Sequence, residues 1–212
     1  MLTRVTSLEA HCRALAECRR CELGTGVVPI LSRAVSPRAM LVGQAPGKVE
    51  AAGGRPFAGR AGRTLFRWLE RAGIDEETAR RRIYIAAVTR CYPGPSPSGR
   101  GDRLPTPREQ AACSGWLEDE LRLIRPRLVI PVGRLAIARF LPNAPLERLI
   151  GRAHVIEHAG GSAVAIPLPH PSGASSWIHQ ANHPRLLDRA LRLIREELAR
   201  SGIAPRRPRS AA

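Results

Sequence analysis

The chain of 212 residues is 43% hydrophobic, carries five cysteines, and sets 34 Lys and Arg against 18 Asp and Glu for a formal charge of +16. That length fits one ordinary α/β domain, and neither a membrane-spanning apolar run nor a secretory leader pattern is present, so membrane insertion and secretion are not expected. Nearly all of the positive charge is arginine, which pairs bidentately with phosphate and suits a polyanionic partner; an arginine-biased, GC-rich genome shares the credit for the excess.

Thr6 and Glu9 form a capping box that predicts a short helix with Leu8, Cys12, Leu15 and Ala16 on its apolar side, ending at the pair Cys18 and Cys21. Ala39–Val42 is an apolar run that empties into Gly43-Gln44-Ala45-Pro46-Gly47. A glycine-rich stretch with one large aromatic, Phe57, then feeds a helix from Gly62 to Leu69. Strand, loop and helix in that order place unpaired amides at the end of a strand, where open α/β sheets bind ligands. Phe57 is placed to stack on a flat ring, or equally to serve as an ordinary core aromatic. Ile83–Val88 predicts a strand buried on both faces, with Cys91 directly after it.

Pro93–Pro107 reads as a polar loop. It closes at Thr106-Pro107-Arg108-Glu109, a cap for a helix that runs to Leu123 and carries Cys113. Leu128–Val132 predicts a third strand, Arg134–Leu141 a helix, and Ala163–Ile166 a further strand leading to Pro169-His170-Pro171-Ser172. A last helix opens at Asn182 or His183, with Leu186, Leu187, Ala190, Leu191 and Ile194 on its apolar face. The alternation predicts a single three-layer α/β/α domain over residues 1–200, its central sheet mostly parallel and of about four strands. Residues 201–212 read as a basic, disordered tail. Five cysteines in a reducing compartment argue for ligation of a metal or cluster rather than disulfides.

The run GQAPGKVEAAGGRPFAGRAGRTL resembles the first motif of the uracil-DNA glycosylase superfamily, closest to its iron–sulfur family 4, and Pro169-His170-Pro171-Ser172 resembles the superfamily's HPS motif. The resemblance implies removal of uracil from DNA by hydrolysis of the N-glycosidic bond. It also implies His170 as the donor to the uracil O2, Phe57 as the stacking ring, and Gly43, Ala45 and Ser172 as substrate contacts. Cys18, Cys21, Cys91 and Cys113 would hold a four-iron, four-sulfur cluster; thiolates alone suit zinc as well. Cys12, on a helix face, is expected to be a small buried hydrophobe.

The chain departs from family 4 in four places. Gln44 stands where the family has Glu. Ala45, as in family 4 itself, stands where other branches carry a water-positioning Asp or Asn, which leaves Glu50 as the candidate base, or else as a solvated loop carboxylate. Ala87 takes the place of the Asn that reads the uracil edge. The loop after Ser172 is small and hydroxyl-rich, with Trp177 or Ile178 either wedging into DNA or packing inward, and Pro93–Asp102 is an insertion. The expected protein is a cytoplasmic, nucleoid-associated monomer acting on uracil in single- or double-stranded DNA. Two alternatives stay open: an iron–sulfur binder of damaged or abasic DNA with little turnover, and a glycosylase of altered base choice such as deaminated purines.

Overall fold

A computed structural model describes residues 7–24, 26–99, 101–172 and 176–203. Five strands form one sheet in the order β2-β1-β3-β5-β4, where β1 is Ala39–Gly43, β2 Ile83–Ala87, β3 Leu128–Pro131, β4 His154–His158 and β5 Gly161–Ala165. β1 lies parallel between β2 and β3, with Val42 opposite both Ala86 and Pro131, and β3 pairs parallel with β5. Every residue of β1 is buried, as a central strand covered by helices on both faces requires.

The helices are α1 (Leu8–Ala16), α2 (Lys48–Gly53), α3 (Arg60–Arg71), α4 (Glu76–Arg82), α5 (Pro107–Ile124), α6 (Arg134–Ile137), α7 (Leu146–Leu149) and α8 (His183–Arg200). α3 packs on α4 and α8, and α1 packs on α5. Helix starts follow the cap chemistry: Thr106 accepts from the Glu109 amide while Glu109 accepts from the Thr106 amide, closing the expected box at α5. The α1 cap is Ser7, whose hydroxyl accepts from the Ala10 amide; Thr6 lies outside the described residues.

The mostly parallel α/β architecture expected from the sequence is present, with a fifth strand added. β4 is antiparallel to β5 and buries only Ile156, while Val155 is 81% exposed, so it lacks the apolar run that marks the inner strands. Gly160 in its tight connection to β5 leaves no room for a side chain against the Leu121 carbonyl of α5. The helix expected to reach Leu141 is α6, one turn long, followed by tight turns. Packing continues through Ser201 and Ile203, both buried; the tail from 204 onward lies outside the described residues.

Candidate active site and cysteine cavity

The loop after β1 is stitched to the loop after β2: Val88 donates to the Gly43 carbonyl at 2.9 Å and Thr89 to the Gln44 carbonyl at 3.2 Å. Glu50 then clamps two loops together, its carboxylate accepting from the Gly47 amide at 3.1 Å and the Gly59 amide at 2.8 Å. Both oxygens of the carboxylate read from the sequence as a candidate base are thus engaged by backbone. The Phe57 backbone stands at φ +51, and its strain is held by Arg80, which donates to the Pro56 and Phe57 carbonyls at 2.7 and 3.0 Å. Arg80 itself stacks over Phe66 and pairs with Glu76. The result lays the Phe57 ring on Gly43: a Cβ there would sit 2.8 Å from the ring edge. A Cβ on Gly62 would overlap the Phe57 carbonyl.

A second ring covers the neighbouring strand. Val132 donates to the Val42 carbonyl at 2.8 Å, so Gly43 and Gly133 cap adjacent strands, and Gly133 donates to the Leu168 carbonyl at 2.9 Å. That bond brings His170 over Gly133, where a Cβ would lie 3.0 Å from the imidazole; Gly133 also stands at φ +84, a conformation glycine adopts freely. Two rings thus lie over two glycines at the ends of adjacent strands, Phe57 on Gly43 and His170 on Gly133. His170 Nδ1 accepts from the Ser172 amide at 3.3 Å and lies 2.9 Å from its hydroxyl. Because an amide can only donate, the imidazole proton belongs on Nε2. Burial pushes the His170 pKa below its ordinary 6.5, so the ring is a neutral donor at neutral pH.

Ala87, half-buried, pairs in register with Gly43 and offers a methyl group where an amide was expected. Gln44 and Ala45 are half-buried in the loop above it. Residues 173–175 of the HPS loop lie outside the described residues. Trp177 is buried and stacked on His183 with ring centroids 4.0 Å apart, and Ile178 packs against the core, so both face inward.

Cys18, Cys21, Cys91 and Cys113 line one cavity, floored by Leu15 and Arg90. Trp116 donates its indole N–H to Cys18 Sγ at 3.3 Å. Burial first, then the neighbouring sulfurs of Cys113, Cys21 and Cys18, push the Cys91 thiol up to about 12; burial likewise raises Cys21 and Cys113. Such thiols keep their protons at neutral pH unless a cation replaces them, as ligation does. Among the described residues no three His, Cys, Asp or Glu side chains converge on a single-ion site. Cys12 stands apart, its sulfur 3.7 Å from the Tyr84 hydroxyl.

Sequence reasoning missed the buried network beneath this cavity. Glu120 of α5, fully buried, pairs with the buried Arg90, accepts from the Tyr84 hydroxyl at 2.8 Å and lies 3.3 Å from His11 Nε2. Glu120 falls on the buried side of α5, four residues after Trp116 and three after Leu117, and the sequence reading did not single it out. It also missed Asp102, which the insertion carries back to Gly47: a Cβ on Gly47 would meet Asp102 Oδ2 at 2.8 Å.

A mostly parallel sheet flanked by helices, with an aromatic ring and a neutral imidazole seated on glycines at the ends of β1 and β3, defines an α/β protein with two rings at one end of its central strands. Residues 31–195 match the sequence model of the Uracil DNA glycosylase superfamily, and the chain belongs to that superfamily. It is 34% identical to a Type-4 uracil-DNA glycosylase of Thermotoga maritima, over 81% of this chain and 85% of the relative. It is 32% identical to that of Archaeoglobus fulgidus over 78% and 82%, and 27% identical to that of Sulfurisphaera tokodaii over 90% and 84%.

Proposed function

We propose that this protein excises uracil from DNA, hydrolysing the bond between uracil and deoxyribose and leaving an abasic site. The observation that carries the reading is His170: a half-buried, neutral imidazole whose Nδ1 is occupied by Ser172 and whose Nε2 proton is free to donate. A uracil leaving with its bonding electrons places negative charge on O2, and a preorganised neutral donor there stabilises the charge as it develops. The base must first leave the stack; Phe57 on Gly43 gives it a surface to stack on. The arginines at 60, 63 and 67 lie exposed along α3, and no carboxylate pairs with them among the described residues, which suits a phosphate backbone.

The test is single-turnover incubation with a labelled uracil-containing oligonucleotide followed by alkali, where strand cleavage at the uracil is the expected result and an uncut strand overturns the reading. Ala87 favours a second reading, a wider base choice, because a methyl group there cannot select one base edge by hydrogen bonding. Cleavage at a deaminated purine in the same assay would establish it; DNA retained without cleavage would leave a binder. On the main reading the protein works as a monomer in the cytoplasm, on the nucleoid, and no helix among the described residues is long and apolar enough to cross a membrane.

Cys18, Cys21, Cys91 and Cys113 are assigned to a four-iron, four-sulfur cluster. A cluster offers four corners to four sulfurs, whereas one zinc ion requires them all to meet at a point. When bound it would tie the segment after α1 to β2 and α5, and its redox chemistry has no part in hydrolysis. Anaerobically purified protein is therefore expected to be brown, with Cys12→Ser keeping the colour and Cys113→Ser losing it. A colourless zinc protein, or loss of colour in Cys12→Ser, would overturn the assignment.

A further inference from the structure

Motif 1 supplies no carboxylate at Gln44 or Ala45, and Glu50 is held by two amides. The other carboxylate at Gly47 is Asp102, and the described residues of the insertion that carries it are tied together by backbone hydrogen bonds. Pro95 bridges to Asp102, Ser96 donates to the Gly101 carbonyl at 2.9 Å and Arg103 to the Gly94 carbonyl at 3.1 Å. The base of this fold-back is locked by Arg103, whose guanidinium forks onto Glu109 at 2.9 and 2.6 Å. Burial first, then the neighbouring Asp102 carboxylate, raises the pKa of Tyr92. Asp102 is exposed at Gly47, in the loop that follows β1, where the proposed substrate is a polyanion. A carboxylate there repels the substrate backbone, a cost that a purely structural residue such as Asn would avoid.

We infer that Asp102 is the residue that positions and deprotonates the attacking water, the insertion replacing a base that the first motif lacks. The inference rests on the proposed uracil excision. In the step, the C1′–N1 bond breaks and its electron pair leaves with uracil, whose O2 accepts from His170. Water oxygen bonds to C1′ and its proton passes to Asp102, which returns it to solvent, from which the uracil anion is protonated. The titratable groups placed against Asp102 among the described residues are the Tyr92 hydroxyl and the Glu50 carboxylate of α2; the adjoining Arg103 is committed to Glu109.

The competing role is a simple cap on the α2 N-terminus, and Asn caps as well as Asp. The test is therefore Asp102→Asn, which keeps a cap and cannot take the proton. Single-turnover excision is expected to fall about 10²-fold and to lose the acid limb of its pH profile, while the unfolding midpoint and affinity for abasic DNA stay at parental values. Asp102→Asn excising within a few-fold of the parent overturns the inference, as does a loss confined to Asp102→Ala that Asn restores. A parent inactive on uracil overturns the proposed function and this inference together; an active parent with an equally active Asn variant overturns this inference alone.

Discussion

Replacing His170 by alanine is expected to slow single-turnover uracil excision by about 10²–10³-fold, the usual loss on removing one preorganised donor. The size of the effect follows from what surrounds the ring. His170 is pinned by the β-bridge between Val132 and Leu168, seated on Gly133, and fixed in one tautomer by the Ser172 amide. The donor therefore needs no reorganisation when charge appears on the leaving base. Affinity for abasic DNA should change little, because no base is present for the imidazole to meet. Burial depresses the folded-state pKa of His170 below 6.5, so the stability carried by the neutral ring is full above 6.5 and is lost as pH falls through the lower folded value. His170→Ala should accordingly lose less stability than the parent over that acid interval. Excision within a few-fold of the parent would move the leaving-group chemistry elsewhere.

Glu120→Ala is expected to destabilise the fold by about 3–5 kcal/mol, the cost of stripping the partner from a buried charge. Burial alone would lower the Arg90 pKa; the Glu120 carboxylate against it outweighs that and holds it above its ordinary value. Removing the carboxylate leaves a guanidinium that is 2% exposed, a Tyr84 hydroxyl and His11 without their shared acceptor. Against a total stability of about 5–15 kcal/mol, the unfolding midpoint should drop on the order of 10 °C. Arg90 also lies between Thr89, bonded to the Gln44 carbonyl, and Cys91 in the cysteine cavity. The variant should therefore lose cluster colour and excision rate at lower temperature than global unfolding predicts. Chemical denaturation beside visible absorbance checks both; an unchanged midpoint would mean that Arg90 reaches solvent when its partner is gone.

What the sequence determined by itself was what local chemistry controls. Inner strands such as β1 and β3 announce themselves because burial on both faces demands an uninterrupted apolar run, and the α5 start because a capping box is complete within four residues. The glycine loop after β1, the HPS stretch and the four cysteines were legible for the same reason, since each is a short run or a spacing. β4 was not, because an edge strand buries one residue in five and carries no periodic signal. Glu50, Glu120 and Asp102 are the sharper cases: three carboxylates indistinguishable in composition, one closing two loops, one buried beneath the cysteine cavity, one brought to Gly47 by an insertion. Their roles are fixed by partners 9, 30 and 36 residues away for the first two, and by the return of the chain to Gly47 for the third. Only the tertiary structure decides such pairings, because the field a carboxylate feels is set by distance in space and not by its neighbours in sequence.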